Sequence, residues 1–275
     1  TLAKEVGEDL GQAVIIQNKP GADGAIAAQE VVRAKPDGYT LLIATNSPMS
    51  GVPVMRKTPP YDPVKDFTPI TDIGRYSFFL YTRADVPGNT LQEFVQHAKK
   101  NPGKLTYGSG NVTGLLSFAY VAQASKIDIL SVPYKGEPPM INDILGGHLD
   151  AGIATAGTGM PQVQAGKLKA LATVLPARSP NAPTVPTMAE AGLGGFPIAP
   201  WLGLFGPAGM PADLVEQLNA AFKRAMDKPS VKQAMQVQDF MLTPSTPQAL
   251  GALVKDQLES HRTLLRATGL EGSQN

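Results

Sequence analysis

Short runs of apolar residues alternate along the chain with segments in which apolar residues recur at the spacing of a helix. Leu2, Val6 and Leu10 predict an N-terminal helix that Gly11 can end. The run 14–16 predicts a short buried strand, 25–34 a helix, and 39–44 a second strand. Strand, helix and strand in this order predict a parallel α/β sheet.

The same alternation continues to the end of the chain. Thr90 and Glu93 form a capping-box pattern that predicts a helix to about Lys100. An amphipathic helix is predicted after Pro211, and a last helix from Thr246. Short apolar runs predict further strands at 77–81, 105–107, 129–132, 149–154, 168–174 and 202–205. The pattern therefore predicts layered α/β architecture, in which ligands bind where strands end and helices begin.

Small polar residues follow three of these predicted strands. A helix start offers unpaired N–H groups and a partial positive charge, and small hydroxyl side chains add further donors. These loops therefore suit a carboxylate or another small anion. The alternative is that each is only a helix cap or a strand–helix turn. The candidate binding residues are Thr45, Asn46 and Ser47, then Ser109, Asn111 and Thr113, then Thr155 and Thr158.

Composition narrows the possible functions. With 24 Lys and Arg against 23 Asp and Glu, the net charge of +1 gives no reason to expect nucleic acid as a partner. The chain has no cysteine, and its three histidines, His97, His148 and His261, lack metal-ligand spacing and are predicted to lie on the surface. No metal and no cofactor are therefore expected. Trp201, the only tryptophan, is a candidate for the core, a hinge or a ligand-site wall.

Several stretches resemble the signatures of one receptor family. Residues 18–27 (NKPGADGAIA) and 35–42 (KPDGYTLL) are similar to two signature stretches of tripartite tricarboxylate transporter receptors, the TctC-like or Bug-type solute-binding proteins. The resemblance runs nearly end to end and in family order. It continues at 61–70, 101–107, 132–136, 145–150, 165–172, 186–192 and 201–205.

The resemblance implies a type II periplasmic-binding-protein fold, two α/β lobes with a ligand cleft between them. Lobe 1 would comprise 1–78 plus 201–275 and lobe 2 79–200, with crossings near 77–82 and 196–201. It further implies a periplasmic, monomeric receptor that captures a small carboxylate for a membrane permease and catalyses no reaction. The family's binding positions fall on the three polar loops, and Ala154 and Trp201 are added as ligand-binding candidates.

The chain also departs from the family pattern. The family begins with a strand and a ligand-holding Pro-Ala-Gly-Gly loop, and both are expected to be missing before Thr1, where no signal peptide is visible either. Ala154 stands where members that bind amino acids often carry Asp, and Met49 and Leu115 stand where His is common. These differences predict a mono- or dicarboxylate without an α-amino group.

Two other functions stay open at this point. A binding protein could present its ligand to a membrane sensor kinase instead of a permease. A serine hydrolase could use Ser109, which lies between two glycines, although no base is close to it in the sequence.

Overall fold

A computed structural model of the chain describes residues 1–198 and 200–270. The chain forms two compact units, unit 1 mainly from Thr1–Arg75 and Trp201–Thr263, and unit 2 from Tyr76–Pro200 with Leu264–Gly269. The sequence prediction placed the first boundary at 78, a few residues later. The strand Phe78–Arg83 pairs entirely within the sheet of unit 2, which explains why the boundary falls before it. Residue 199, in the second predicted crossing, lies outside the described residues.

The described secondary structure consists of helices and short strands that alternate for most of the chain. The helices are α1 (Leu2–Leu10), α2 (Ala25–Val32), α3 (Val52–Met55), α4 (Leu91–Lys100), α5 (Val112–Ser125), α6 (Glu137–Gly146), α7 (Ala156–Gln164), α8 (Ala212–Asp227), α9 (Pro229–Val237) and α10 (Pro247–Thr268). The strands are β1 (Leu42–Thr45), β2 (Phe67–Tyr76), β3 (Phe78–Arg83), β4 (Thr106–Ser109), β5 (Leu130–Pro133), β6 (Ala151–Thr155), β7 (Leu168–Thr173), β8 (Trp201–Pro207) and β9 (Phe240–Leu242). Within this part of the chain, no helix is long and apolar enough to cross a membrane.

Unit 1 contains a four-stranded sheet in the order β1-β8-β2-β9. β8 is antiparallel to both of its neighbours, so the parallel arrangement predicted from the sequence is wrong for this sheet. Trp201, Phe205 and Leu250 belong to its main core cluster, which β1, β8, α2 and α10 enclose. Two ion pairs connect α1 to its neighbours. Asp9 pairs with Arg224 of α8, and Glu5 pairs with Lys228 at the start of α9.

The strand predicted at Val14–Ile16 is the clearest error. These residues form no strand, and the Ile15 side chain is 80% exposed. Three consecutive β-branched residues have the intrinsic preference for a strand. A strand also needs a hydrogen-bonded neighbour, and none of the described strands pairs with this segment.

Unit 2 contains a five-stranded mixed sheet in the order β5-β4-β6-β3-β7. β5, β4 and β6 are parallel, whereas β3 is antiparallel to β6 and β7. Alternate residues of β3 enter different cores, Phe78 and Leu80 on one face and Phe79 and Tyr81 on the other. Because successive side chains of a strand point to opposite faces, this sheet is covered on both sides.

Candidate functional site

The three parallel strands of unit 2 place three helix starts at one edge of the sheet. β5 leads to α6, β4 to α5 and β6 to α7, and β4 lies between the other two strands. Parallel neighbours end at the same edge, so the loops after them converge there. This edge holds the second and third polar loops that the sequence singled out.

The loops converge on a carboxylate that belongs to the protein itself. Glu137 Oε1 accepts a hydrogen bond from Asn111 Nδ2 at 2.9 Å. Its Oε2 accepts three more, from Thr155 N at 3.0 Å, Thr155 Oγ1 at 2.7 Å and Thr158 Oγ1 at 3.0 Å. These four residues are called the Glu137 cluster below. All four are half-buried, so the cluster stays in contact with solvent.

Asn111 holds its place in the cluster because both ends of its amide are used. Asn111 is the N-cap of α5, and its Oδ1 accepts a hydrogen bond from Gly114 N at 2.8 Å. N-cap side chains commonly accept such a bond from the first turn of a helix. The Nδ2 group therefore faces the Glu137 carboxylate. The two threonine hydroxyls lie 3.0 Å apart and complete the set of donors.

Two glycines let the loops approach closely enough to form the cluster. A Cβ atom on Gly110 would lie 2.5 to 2.7 Å from three backbone atoms of Gly136 and Glu137. A Cβ atom on Gly159 would overlap the ring of Tyr81, against which α7 packs. The Tyr81 hydroxyl also donates to the Thr155 carbonyl at 3.4 Å, which ties the end of β6 to β3.

The negative charge of Glu137 reaches a neighbouring phenol. Burial raises the pKa of Tyr76, and the charge of Glu137 raises it further. Tyr76 therefore keeps its proton near neutral pH and presents a neutral hydroxyl to this part of unit 2.

We expect Gly110→Ala to lower the free energy of unfolding by about 1–3 kcal/mol, because the new methyl group would overlap fixed backbone atoms at the start of α6. Urea denaturation measures this change. Gly195→Ala is the matched control, because a Cβ atom there meets nothing within 4 Å. Equal midpoints for the two variants would contradict the close packing of the loop on α6.

The structure separates the residues predicted for unit 2 into two groups. Asn111, Thr155 and Thr158 meet in the Glu137 cluster. Ser109 and Thr113 are buried at 7% and 2% exposure, and the Ser109 carbonyl accepts a hydrogen bond from Tyr134 N. Ala154 is completely buried in an apolar core. That these residues contact a ligand stays a prediction.

Sequence reasoning missed Glu137, although its position carries a signal. It is the first residue of α6, directly after Gly136 at φ 105°, and an acidic side chain is favourable at a helix start. Glu137 weighs against the argument built on Ala154, and the absence of an α-amino group from the ligand stays a prediction. That argument assumed that this region lacks a carboxylate for a ligand ammonium group, and Glu137 supplies one beside Thr155 from a different element.

In unit 1, the first polar loop is a buried π-helical turn at Ser47–Gly51. The Tyr61 hydroxyl donates to the Pro48 carbonyl at 2.7 Å, and Ser47 N donates to Thr45 Oγ1 at 3.3 Å. Asn46 and Ser47 are only 2% and 7% exposed, while Thr45 is half-buried. A tightly fixed π turn often marks a functional position, and these three residues stay candidates for ligand contact.

Two further residues of unit 1 form an electrostatic pair that sequence reasoning did not single out. Burial raises the pKa of the Asp23 carboxyl, and the charge of Arg56 opposes this change. Asp23 adopts a left-handed conformation at φ 54° in the turn Ala22–Gly24. A Cβ atom on the neighbouring Gly24 would lie 3.2 Å from Pro48, so this turn packs against the π-helical turn.

The remaining candidates have different outcomes. Trp201 is completely buried in the core of unit 1, and its contact with a ligand stays a prediction. His148 is exposed and His97 half-exposed, whereas His261 is completely buried in α10, so its predicted surface position is wrong. Its Nδ1 atom lies 2.7 Å from the Gln257 carbonyl oxygen, one helical turn earlier. Residues 1–198 and 200–270 contain no group of side chains that could hold a metal ion.

Two α/β units with polar helix starts at a sheet edge are typical of solute-binding receptors, and solved structures agree with this class. Periplasmic binding protein BugD has 31% sequence identity and a TM-score of 0.89, covering 98% of this chain and 91% of its own. Rpa4515 of R. palustris, solved with adipate, has 28% identity and a TM-score of 0.91, covering 98% and 90%. MatC from Rhodopseudomonas palustris, with bound malate, has 29% identity and a TM-score of 0.87, covering 96% and 92%.

The family follows from the sequence match. Residues 1–270 match the model of the tripartite tricarboxylate transporter family receptor, TctC. The chain belongs to this family. The predicted periplasmic-binding-protein fold is therefore confirmed, and so is the family that the sequence motifs resembled.

Proposed function

We propose that this protein is a periplasmic receptor that captures a small carboxylate and delivers it to a membrane permease of the tripartite tricarboxylate type. The match of residues 1–270 to the receptor family carries the proposal, and the three helix starts of unit 2 lie at the sheet edge where ligands of α/β folds bind. Two similar solved structures hold dicarboxylates, adipate and malate, which supports the same ligand class.

The proposed contact residues are those of the three polar loops. Asn111, Thr155 and Thr158 are half-buried and border the Glu137 carboxylate that a ligand would meet. Thr45, Asn46 and Ser47 in unit 1, with Ser109 and Thr113 in unit 2, complete the set. Glu137 places a carboxylate of the protein close to position 154, where the chain has alanine. The proposed function therefore specifies only that the ligand carries a carboxylate. The prediction that it lacks an α-amino group loses its support from Ala154.

The receptor is proposed to act as a monomer, without catalysis and without nucleic acid. Ser109, the candidate nucleophile, is 7% exposed. In the described part of the chain, none of the three histidines hydrogen-bonds to it, so it has no base to activate it. The net charge of +1 offers no field for binding a polyanion.

A thermal-shift screen of small carboxylates, with and without amino groups, tests this function. We expect at least one compound to raise the melting temperature, because a ligand at about 100 times its Kd adds about 2.7 kcal/mol of stability. Amides of the same carbon skeletons are the matched controls and should give no shift. Ester hydrolysis that Ser109→Ala abolishes would contradict the proposal.

A further inference from the structure

We propose that Glu137 determines the specificity of the unit 2 site by excluding a carboxylate and selecting a ligand group that donates a hydrogen bond. The ligand would then be an acid whose other polar end is an ammonium or a hydroxyl group. This inference rests on the proposed receptor function and names its substrate class more narrowly.

Glu137 already occupies most of the donors of the site. Thr155 N, Thr155 Oγ1 and Thr158 Oγ1 all donate to Glu137 Oε2, and Asn111 Nδ2 donates to Oε1. A ligand carboxylate has only acceptors, and among these groups only the second N–H of Asn111 Nδ2 is left to donate to it. A carboxylate offers about four lone-pair positions, two on each oxygen, so Oε1 with its single hydrogen bond can accept another. The site therefore offers a ligand donor a charged acceptor, whereas it offers a ligand carboxylate a single neutral donor.

The charges around the site point in the same direction. Glu137 takes part in none of the ion pairs formed within residues 1–198 and 200–270. Its charge is stabilised by neutral donors and by the start of α6. A second carboxylate would face a like charge that no ion pair offsets within the described residues, and this repulsion is strong in a partly desolvated site. An ammonium group would complete an ion pair instead.

A simpler role for Glu137 is to fasten three loops together. It joins α6 to the N-cap of α5 and to the turn that opens α7. A purely structural Glu137 predicts that its replacement lowers stability but weakens every ligand equally. The specificity role predicts a change in the ratio of two affinities, which a loss of stability does not produce.

The experiment measures this ratio by calorimetry on the full chain and two variants. Glu137→Ser removes the charge and frees the donors, and Glu137→Gln removes the charge but keeps the side-chain length. The probes are pairs of equal length, adipate with 6-aminohexanoate and succinate with 4-aminobutanoate, together with 6-hydroxyhexanoate. We expect the unchanged protein to prefer the amino or hydroxy acid by about ten-fold, and Glu137→Ser to prefer the diacid.

Asp128→Asn is the matched control, since it removes one negative charge from an exposed position of unit 2 and should leave the ratio unchanged. Equal ratios in the protein and in both Glu137 variants would overturn the specificity role and leave the receptor function standing. A preference of the unchanged protein for the diacids would also overturn the specificity role and leave the receptor function standing. If no acid of the panel binds the protein or any variant, the receptor function fails and the inference fails with it.

Discussion

Trp201→Ala is expected to lower the free energy of unfolding by about 3–5 kcal/mol, the usual cost of truncating a large buried aromatic side chain. Trp201 is completely buried, and its ring centroid lies 6.0 Å from that of Phe205. Trp201, Gly203 and Phe205 alternate onto one face of β8. A Cβ atom on Gly203 would lie 3.1 Å from the indole ring, so the glycine provides the space that the indole fills.

Trp201→Phe separates packing from hydrogen bonding. Within the described residues, Trp201 Nε1 has no hydrogen-bond partner, so the loss of its N–H group leaves no acceptor unpaired. We therefore expect a smaller loss than for alanine, about 1–2 kcal/mol, from volume alone. Far-UV circular dichroism is the suitable probe in denaturant, because both variants lack the only tryptophan.

Tyr39→Ala is the control for these two variants. Tyr39 is an aromatic residue of unit 1 that is 86% exposed, and its loss should change stability by less than about 0.5 kcal/mol. If Trp201→Phe kept the stability of the protein but lost carboxylate binding, Trp201 would be a ligand contact rather than a core residue.

Local sequence signals predicted most elements of unit 2. The Thr90 capping box is present, with Thr90 Oγ1 accepting from Glu93 N and the Glu93 carboxylate accepting from Thr90 N. The strands predicted at 129–132 and 168–174 are β5 and β7. These elements depend on neighbouring residues, which a single sequence shows directly.

Pairing between distant segments could not be predicted in the same way. β8 pairs with β1 and β2, although more than a hundred residues separate it from them along the chain. Nothing in the local sequence of these strands indicates that they are neighbours in the sheet. The Val14–Ile16 segment has the composition of a strand but no described neighbour, so its local preference has no effect. Strand propensity depends strongly on context for this reason.

The candidate site could be predicted in part. The polar loops after β4 and β6 suggested donors for a ligand carboxylate, whereas Asn111, Thr155 and Thr158 surround the carboxylate of Glu137, and their contact with a ligand stays a prediction. The sequence could not show that the carboxylate comes from Glu137, because the helix start of α6 meets these loops only in the folded sheet. Glu137 is thus the basis of the proposed preference for an acid that carries a donor, where the sequence predicted a mono- or dicarboxylate without an α-amino group.

His261 gives the protein a stability that falls as the pH falls below about 6.5. Burial lowers the pKa of this imidazole to about 4, while its hydrogen bond to the Gln257 carbonyl opposes the change. Between these two pH values, the unfolded state binds a proton that the folded state excludes. Stability therefore decreases from pH 6.5 to about pH 4 and levels off below, with a total loss on the order of 3 kcal/mol from this group.

His261→Leu isolates this contribution. Leucine fits an apolar position and cannot be protonated, so we expect the variant to lose less stability than the unchanged protein between pH 6.5 and 4.5. Urea denaturation across this pH range measures the difference. Parallel curves for the two proteins would mean that the imidazole takes up its proton while folded, which its complete burial argues against.

The comparison with this variant is needed because carboxyl groups titrate in a neighbouring range. Burial raises the pKa of Asp23 and Asp72, so these groups add stability as the pH falls and partly mask the loss from His261. Asp9 and Glu190 act in the opposite direction, since hydrogen bonds from Arg224 and Arg178 lower their pKa and this stability disappears in acid. All four groups are the same in both proteins. The difference between the two curves therefore reports His261, and it should grow as the pH falls from 6.5 and level off below about pH 4.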